Sequence, residues 1–175
     1  MVVRNNYTSL PRESKAGFIA NGDIIELLRV NKIEEMYGFR FANVVFRMVD
    51  YKEAFNIEAK ILLDTLMAES PSLSGKDNKR LFDKVMEDYL DIEQKYKRYL
   101  KARVNPYLNA LQVKFAYALT CHKTQGGQWD AVFIDQGYVT EQMLNVEFMR
   151  WLYTAVTRAT KKLYLVNFND RFFKE

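Results

Sequence analysis

Ala131-Val-Phe-Ile-Asp135, Thr140-Glu-Gln-Met-Leu-Asn-Val-Glu-Phe-Met-Arg-Trp-Leu-Tyr-Thr-Ala-Val-Thr-Arg158 and Leu163-Tyr-Leu-Val166 follow one another in the last third of a 175-residue chain. The first and third are short apolar runs, and Gly137 closes the first. Both read as strands. The middle stretch sets Leu144, Phe148, Trp151, Leu152 and Ala155 on the inner side of a helix that Thr140 can cap. Strand, helix, strand at this spacing is a βαβ unit, which requires a parallel sheet and a crossover helix. Just upstream, 113–119 reads as a buried strand and 122–128 as a short polar turn or helix start.

Further upstream the style changes. Met1-Val-Val3 reads as the end of a strand and Arg4-Asn5-Asn6 as the turn out of it, so a piece of a longer chain is expected. Residues 10–15 are polar with a proline, hence loop. Asn21-Gly22 opens a β-friendly run at 23–30, Gly38 opens another at 39–49, and 55–61 alternates apolar with polar. Short strands in series suggest a small barrel or meander. A linker follows at 70–77. Leu81, Val85, Tyr89, Ile92, Tyr96 and Tyr99 then form one stripe of a long helix over 78–103, ended by Asn105-Pro106. The expected class is α/β. A sheet domain split over 1–22 and 111–175 carries an insertion at 23–110, a small β unit followed by the long helix.

Composition narrows the function classes. Hydrophobic residues make up 49%, enough for a core, which excludes whole-chain disorder. One cysteine and one histidine, Cys121 and His122, exclude a disulfide framework and the usual zinc sites, so no metal ligands are expected. No apolar run is long enough to span a bilayer, and the first residues lack a secretory signal's apolar stretch; no membrane partner and a reducing, cytoplasmic setting are expected. A net charge of +4 permits a polyanion partner.

Two clusters carry chemistry. Thr120-Cys-His-Lys-Thr-Gln-Gly-Gly-Gln128 combines hydroxyls, an imidazole, an ammonium and flexible glycine backbone after a strand. That set suits phosphate oxygens at the carboxyl edge of a parallel sheet, or it is simply a polar loop. Tyr153-Thr-Ala-Val-Thr-Arg-Ala159 puts Arg158 near a helix end, where it bonds the last carbonyls or is presented to a phosphate. Ser74-Gly-Lys-Asp77 is a decoy: a P-loop needs G-x-x-x-x-G-K-[ST], but Ser70 occupies the first glycine's place and Asp77 the hydroxyl's. Lys95-Tyr-Lys-Arg-Tyr-Leu-Lys101 interleaves cations with rings, as a nucleic-acid contact or as a solvated helix face. Cys121 reads as a small filler, because a neighbour such as His122 on an extended strand points the other way.

Taken together, Phe115-Ala-Tyr-Ala-Leu-Thr-Cys-His-Lys-Thr-Gln-Gly-Gly-Gln-Trp-Asp130 resembles motif V of superfamily-1 DNA helicases, and Trp151-Leu-Tyr-Thr-Ala-Val-Thr-Arg-Ala159 resembles their motif VI. The HK-[ST]-QG core and the Y-T-A-[VI]-T-R-A run resemble the RecD-like branch, the exonuclease V alpha subunit type. Met1-Val-Val-Arg-Asn-Asn6 is similar to motif IV, and Asn21-Gly22-Asp23 to the start of an SH3-like insertion. The resemblance implies the second RecA-like half of a two-part motor, its parallel sheet interrupted by a small SH3-like β-barrel plus helix. It implies ATP and magnesium bound mainly by the other half, which carries the P-loop and is absent here, so this chain alone would not hydrolyse ATP.

By position, Arg158 becomes the arginine that reaches the γ-phosphate. Gly126 and Gln128 line the nucleotide, and Asn6, Thr120, His122 and Lys123 contact single-stranded DNA. Implied partners are single-stranded DNA, the N-terminal motor half and further helicase or nuclease subunits of DNA repair. The sequence departs from the pattern at Gln128, where glutamate is usual, and at Gly127, where Ser or Leu is commoner. The competing reading is a non-catalytic nucleic-acid or partner-binding module with vestigial motifs.

Overall fold

Tyr37 and Gly38 both adopt positive φ, 57° and 74°, and join Met36 to its cross-strand partner Phe39. A two-residue loop with that pair of conformations matches the right-handed twist of two antiparallel strands, and glycine takes the second position without strain. This turn belongs to a computed structural model that describes residues 1–10, 14, 17–51 and 56–173. The chain forms two units, Met1–Ala116 and Tyr117–Glu175.

In the first unit the hairpin strands are β1 (Ile25–Met36) and β2 (Phe39–Met48). Strand β3 (Ile57–Leu62) pairs antiparallel with β2, and short β4 (Leu111–Gln112) pairs parallel with β3. The sheet order is β1-β2-β3-β4. Strand β2 is covered on both faces. Ala42, Val44, Phe46 and Met48 join Val2, Ile19, Ile61 and Val113 in one apolar cluster. Phe39 and Phe41 join Leu73, Leu81, Val85 and Ala102 in another. The period of two thus serves two cores at once. The opening residues are pinned beside β4: Val2 bridges Val113 antiparallel, and Val3 N–H donates to Gln112 O at 2.9 Å.

The barrel expected from the short strands is not found: among the described residues the sheet stays open, with no pairing of β1 to β4. Strand β1 runs six residues past the expected 30 and is exposed along most of its length. Leu28 and Asn31 fall in two register shifts and have no opposite residue on β2. The loop expected at 10–15 and the first residue of the alternating run, Phe55, lie largely outside the described residues.

Three helices complete this unit: α1 (Asp64–Met67), α2 (Gly75–Glu87) and α3 (Lys95–Arg103). The single helix expected over 78–103 is therefore two. Leu81 and Val85 of the stripe are buried, but Tyr96 and Tyr99 are exposed, so burial does not carry the stripe through. The break falls in an acidic stretch that includes Asp88, Asp91 and Glu93, and acidic groups at a helix C-terminus oppose its dipole. Asp88 instead accepts a hydrogen bond from Tyr37 OH. That bond, after burial, pushes the Tyr37 phenol up to about 12. Ser74 caps α2, its hydroxyl accepting from Asp77 N–H at 3.1 Å.

In the second unit β5 (Trp129–Asp135) and β6 (Ala159–Val166) pair parallel in register from Val132↔Leu163 to Asp135↔Val166. Helix α4 (Val146–Val156) joins them, which is the expected βαβ unit. Its cap differs from the expectation. Thr140 precedes only a 3₁₀ turn at Glu141–Met143, and Asn145 caps α4 because its Oδ1 accepts both Glu147 N–H and Phe148 N–H. Phe148 and Ala155 are buried as expected, while Leu144, Trp151 and Leu152 are half-buried. The strand expected at 113–119 does not extend past the Val113 bridge; Phe115 and Tyr117 are exposed. Among the described residues no helix is long and apolar enough to cross a membrane.

A charged cluster ties the hairpin to the rest of its unit. Glu34 on β1 accepts from Lys32 Nζ at 2.7 Å, from Lys60 Nζ on β3, and from Tyr107 OH at 3.1 Å. Lys60 Nζ also lies 4.3 Å from the Tyr107 ring centroid. The hydrogen bond from Lys32, then that from Lys60, holds the Glu34 carboxyl at about 2, below its ordinary 4.5. A carboxyl depressed in the folded state gives stability that is full above the unfolded value and is lost as pH falls toward the folded one. The melting temperature of the chain should therefore fall between pH 4.5 and about 2 in part through this residue. A melting series against pH should show that Glu34→Gln flattens this part of the acid limb; an unchanged limb would refute the cluster's role.

Candidate functional site

Arg158 stands two residues past α4, where three groups of its own unit meet its guanidinium. Nε donates to Thr154 O at 3.0 Å, Nη1 to Gly127 O at 3.1 Å and Nη2 to Thr157 Oγ1 at 3.0 Å. Its backbone carbonyl accepts from Trp129 N–H at 2.9 Å. Two stretches some thirty residues apart in sequence are joined by these bonds at the start of the parallel sheet. The side chain is half-buried.

The loop leading to β5 is built by local turns. Residues Cys121–Thr124 form a 3₁₀ turn in which Lys123 N–H donates to Thr120 O at 2.9 Å. Thr124 Oγ1 donates to Cys121 O at 2.7 Å, and Gly127 N–H to Thr124 O at 3.1 Å. Gly126 takes φ 87°, a conformation costly for other residues. Thr120, His122, Lys123, Gly126 and Gln128 are all exposed. Gly127 has a different reason to lack a side chain: a Cβ there would stand 2.4 Å from the Trp129 ring.

Cys121 is half-buried, and its thiol lies 3.4 Å from Trp151 O, to which it donates. Burial pushes the thiol up, while Arg158 pulls in the other direction. A thiol kept protonated fits a filler rather than a nucleophile. The geometric reason given from the sequence does not hold, because Cys121 and His122 lie in a turn and not on an extended strand.

Two cavities flank this loop. One, of about 810 Å³, is lined by His122, Gln125, Tyr138, Arg150, Trp151 and Thr154 among others. A second, of about 160 Å³, is lined by Thr124, Trp129, Asp135 and Arg158. Cys121 and Trp151 line both. His122 and Arg158 therefore line two neighbouring recesses of one unit. Arg150 escaped the sequence reading, and Thr154 enters it only as part of the cluster around Arg158. The signal was there: 150, 154 and 158 step by four, one side of a helix.

Asn6 belongs to the first unit and is 7% exposed. Its Nδ2 donates to Asn109 O at 2.7 Å, and its Oδ1 accepts from Thr8 N–H and Ser9 N–H. The amide is thus committed to holding its own turn. Among the described residues no group of three His, Cys, Asp or Glu is placed to hold a metal ion.

Residues 115–166 match the family model of the UvrD-like helicase C-terminal domain. That span contains both motif stretches, the loop at 120–128 and Arg158, and it supports a superfamily-1 helicase C-terminal domain here. An uncharacterized protein of Methanocaldococcus jannaschii is 34% identical over 74 residues, 39% of this chain and 6% of that protein. The chain thus spans a small part of the length of the curated relative it matches.

The close approach at Gly127 can be tested optically. In a Trp151→Phe background, Trp129 is the remaining tryptophan. Gly127→Ala must push its ring aside, so its emission should shift toward that of free indole in water and the unit should lose about 1–3 kcal/mol of stability. An unchanged spectrum would show that the ring does not rest on Gly127.

Proposed function

We propose that this chain is the C-terminal portion of an ATP-dependent DNA helicase of the RecD-like branch, working in the cytoplasm as the second half of a two-part motor. The observation that carries the reading is the bonding of Arg158 to Gly127 and Trp129, which makes one local structure of the stretches that resemble motifs V and VI. In this reading the division of the chain follows motif order, with 1–22 and 111–175 contributing to the motor and 23–110 inserted.

ATP and its magnesium are held mainly by a P-loop half outside this chain. Ser74-Gly-Lys-Asp77 is unsuited to holding them, because Ser74 Oγ donates to Asp77 Oδ2 at 2.8 Å at the head of α2, where the carboxylate would repel a phosphate. Arg158 has five N–H groups and uses three within its unit. One hydrogen on each of Nη1 and Nη2 has no partner among the described residues. That planar pair suits two oxygens of a γ-phosphate, where it stabilises charge that develops during transfer. Gly126 and Gln128 line the nucleotide, an amide replacing the usual carboxylate. Thr120, His122 and Lys123 take the phosphates of single-stranded DNA, and Asn6 acts on the strand through the turn it holds. Cys121 and Trp151, shared by both recesses, link nucleotide state to strand grip. Further helicase or nuclease subunits are partners of such a motor.

One observation favours a second reading, a binding module without turnover: three internal bonds are also what a purely structural arginine makes. The two readings separate when the chain is joined to its P-loop half. Arg158→Ala should then lower ATP turnover by about a thousandfold or more while single-strand affinity stays near that of the parent. Arg158→Lys keeps the charge without the fork and should fail almost as badly. Undiminished turnover in either folded variant would leave the binding module standing.

A further inference from the structure

Helix α3 reads Lys-Tyr-Lys-Arg-Tyr-Leu-Lys-Ala-Arg over Lys95–Arg103, five cations and no acid in nine residues. Ala102 is its one buried side chain. Tyr96 is 71% exposed and Tyr99 49%. The helix dipole accounts for Lys101 and Arg103 in the last turn but opposes Lys95 and Lys97 in the first. Lys95 with Arg98, Arg98 with Lys101, and Lys97 with Lys101 are like-charge neighbours at three or four residues, each weakening the helix. Among the described residues none of the five forms an ion pair, although Asp91 and Glu93 lie just upstream. Among the described residues the Arg98 guanidinium bonds a carbonyl, that of Ile92, and no acid.

The surface beside this helix is charged in the same sense. Two cavities of about 530 and 600 Å³ are both lined by Arg4, Arg103, Leu108 and Gln112. Neither has an Asp or Glu in its lining. Tyr99 lines the second, with its ring centroid 6.3 Å from that of Phe82. Guanidiniums and ammoniums without counter-charges, interleaved with open aromatic faces, have the chemistry of a single-stranded nucleic acid: a polyanion with unstacked bases. A duplex supplies the charge but keeps its bases stacked inside, and an acidic protein supplies no series of planar rings.

We propose that α3, with Arg4 and Arg103, is a strand-binding surface of the first unit, taking the phosphates of single-stranded nucleic acid on its cations and a base against Tyr96 or Tyr99. It stands on the first unit alone and does not need the motor reading.

The test uses the whole chain and a fluorescein-labelled oligothymidylate of about twelve nucleotides, followed by anisotropy at several salt concentrations. A duplex of the same length serves as competitor. Lys97→Glu with Lys101→Glu should weaken single-strand binding at least tenfold. The neutral pair Lys97→Gln with Lys101→Gln should lower the slope of log affinity against log salt by about 1.4, at roughly 0.7 for each phosphate no longer neutralised. Tyr96→Ala, on a side chain that packs on little, should cost about fivefold or more on the single strand and nothing on the duplex. Circular dichroism confirms that each variant folds. Parent-like affinity and slope in the folded lysine variants overturn the proposal, as does tighter binding of the duplex than of the oligothymidylate. His122→Ala, measured in parallel, tells the two surfaces apart: loss there with none in the α3 variants sinks this inference and spares the motor reading.

Discussion

The second unit is organised around one half-buried guanidinium, that of Arg158. Three of its N–H groups are fixed by Thr154, Gly127 and Thr157, and its carbonyl by Trp129. A planar fork fixed at three points has little freedom left to lose. The same bonds set where β5 starts, where α4 ends and how the loop at 120–127 lies. The parallel strands then follow, because the ends of the crossover are held together.

The first unit depends on a different constraint, the two-sided burial of β2. A strand with apolar groups on both faces must be covered twice. Val2, Ile19 and Val113 pack on one side, and α2 with the end of α3 on the other. Thr65, fully buried, ties the arrangement together: its hydroxyl bonds Leu62 O and accepts from Val113 N–H. Helix α3 contributes only Ala102 to this cover. Most of its surface is left for solvent or for a ligand.

Local chemistry made much of this legible in the sequence. Gly38 marked the hairpin, the alternation near 57–61 marked β3, and the apolar runs at 131–135 and 163–166 marked the parallel pair. What was missed depends on competition between local signals. Thr140 and Asn145 can both cap a helix, and Asn145 prevails by accepting two N–H groups. The stripe through Tyr89 and Ile92 keeps helical spacing, but spacing alone does not show that Tyr89 still packs against the core while Tyr96 and Tyr99 are exposed. Strand β1 outruns its expected end because residues 32–36 are held by pairing with β2 and not by burial, which leaves no alternation to read. In the site, residue types near Arg158 were readable, whereas the three-way bonding of its side chain was not.

The two offsets in β1 bear on how the chain behaves when crowded. An outer strand with Leu27, Val30, Ile33 and Met36 uncovered is an invitation to stack with a stray extended segment. With Leu28 and Asn31 out of step, the row of amides and carbonyls along that rim, unpaired in the sheet among the described residues, is broken into short pieces. A visiting segment would have to copy both irregularities to zip along the whole edge. The kinks thus give this rim a built-in resistance to runaway assembly that its oily side chains alone would deny it.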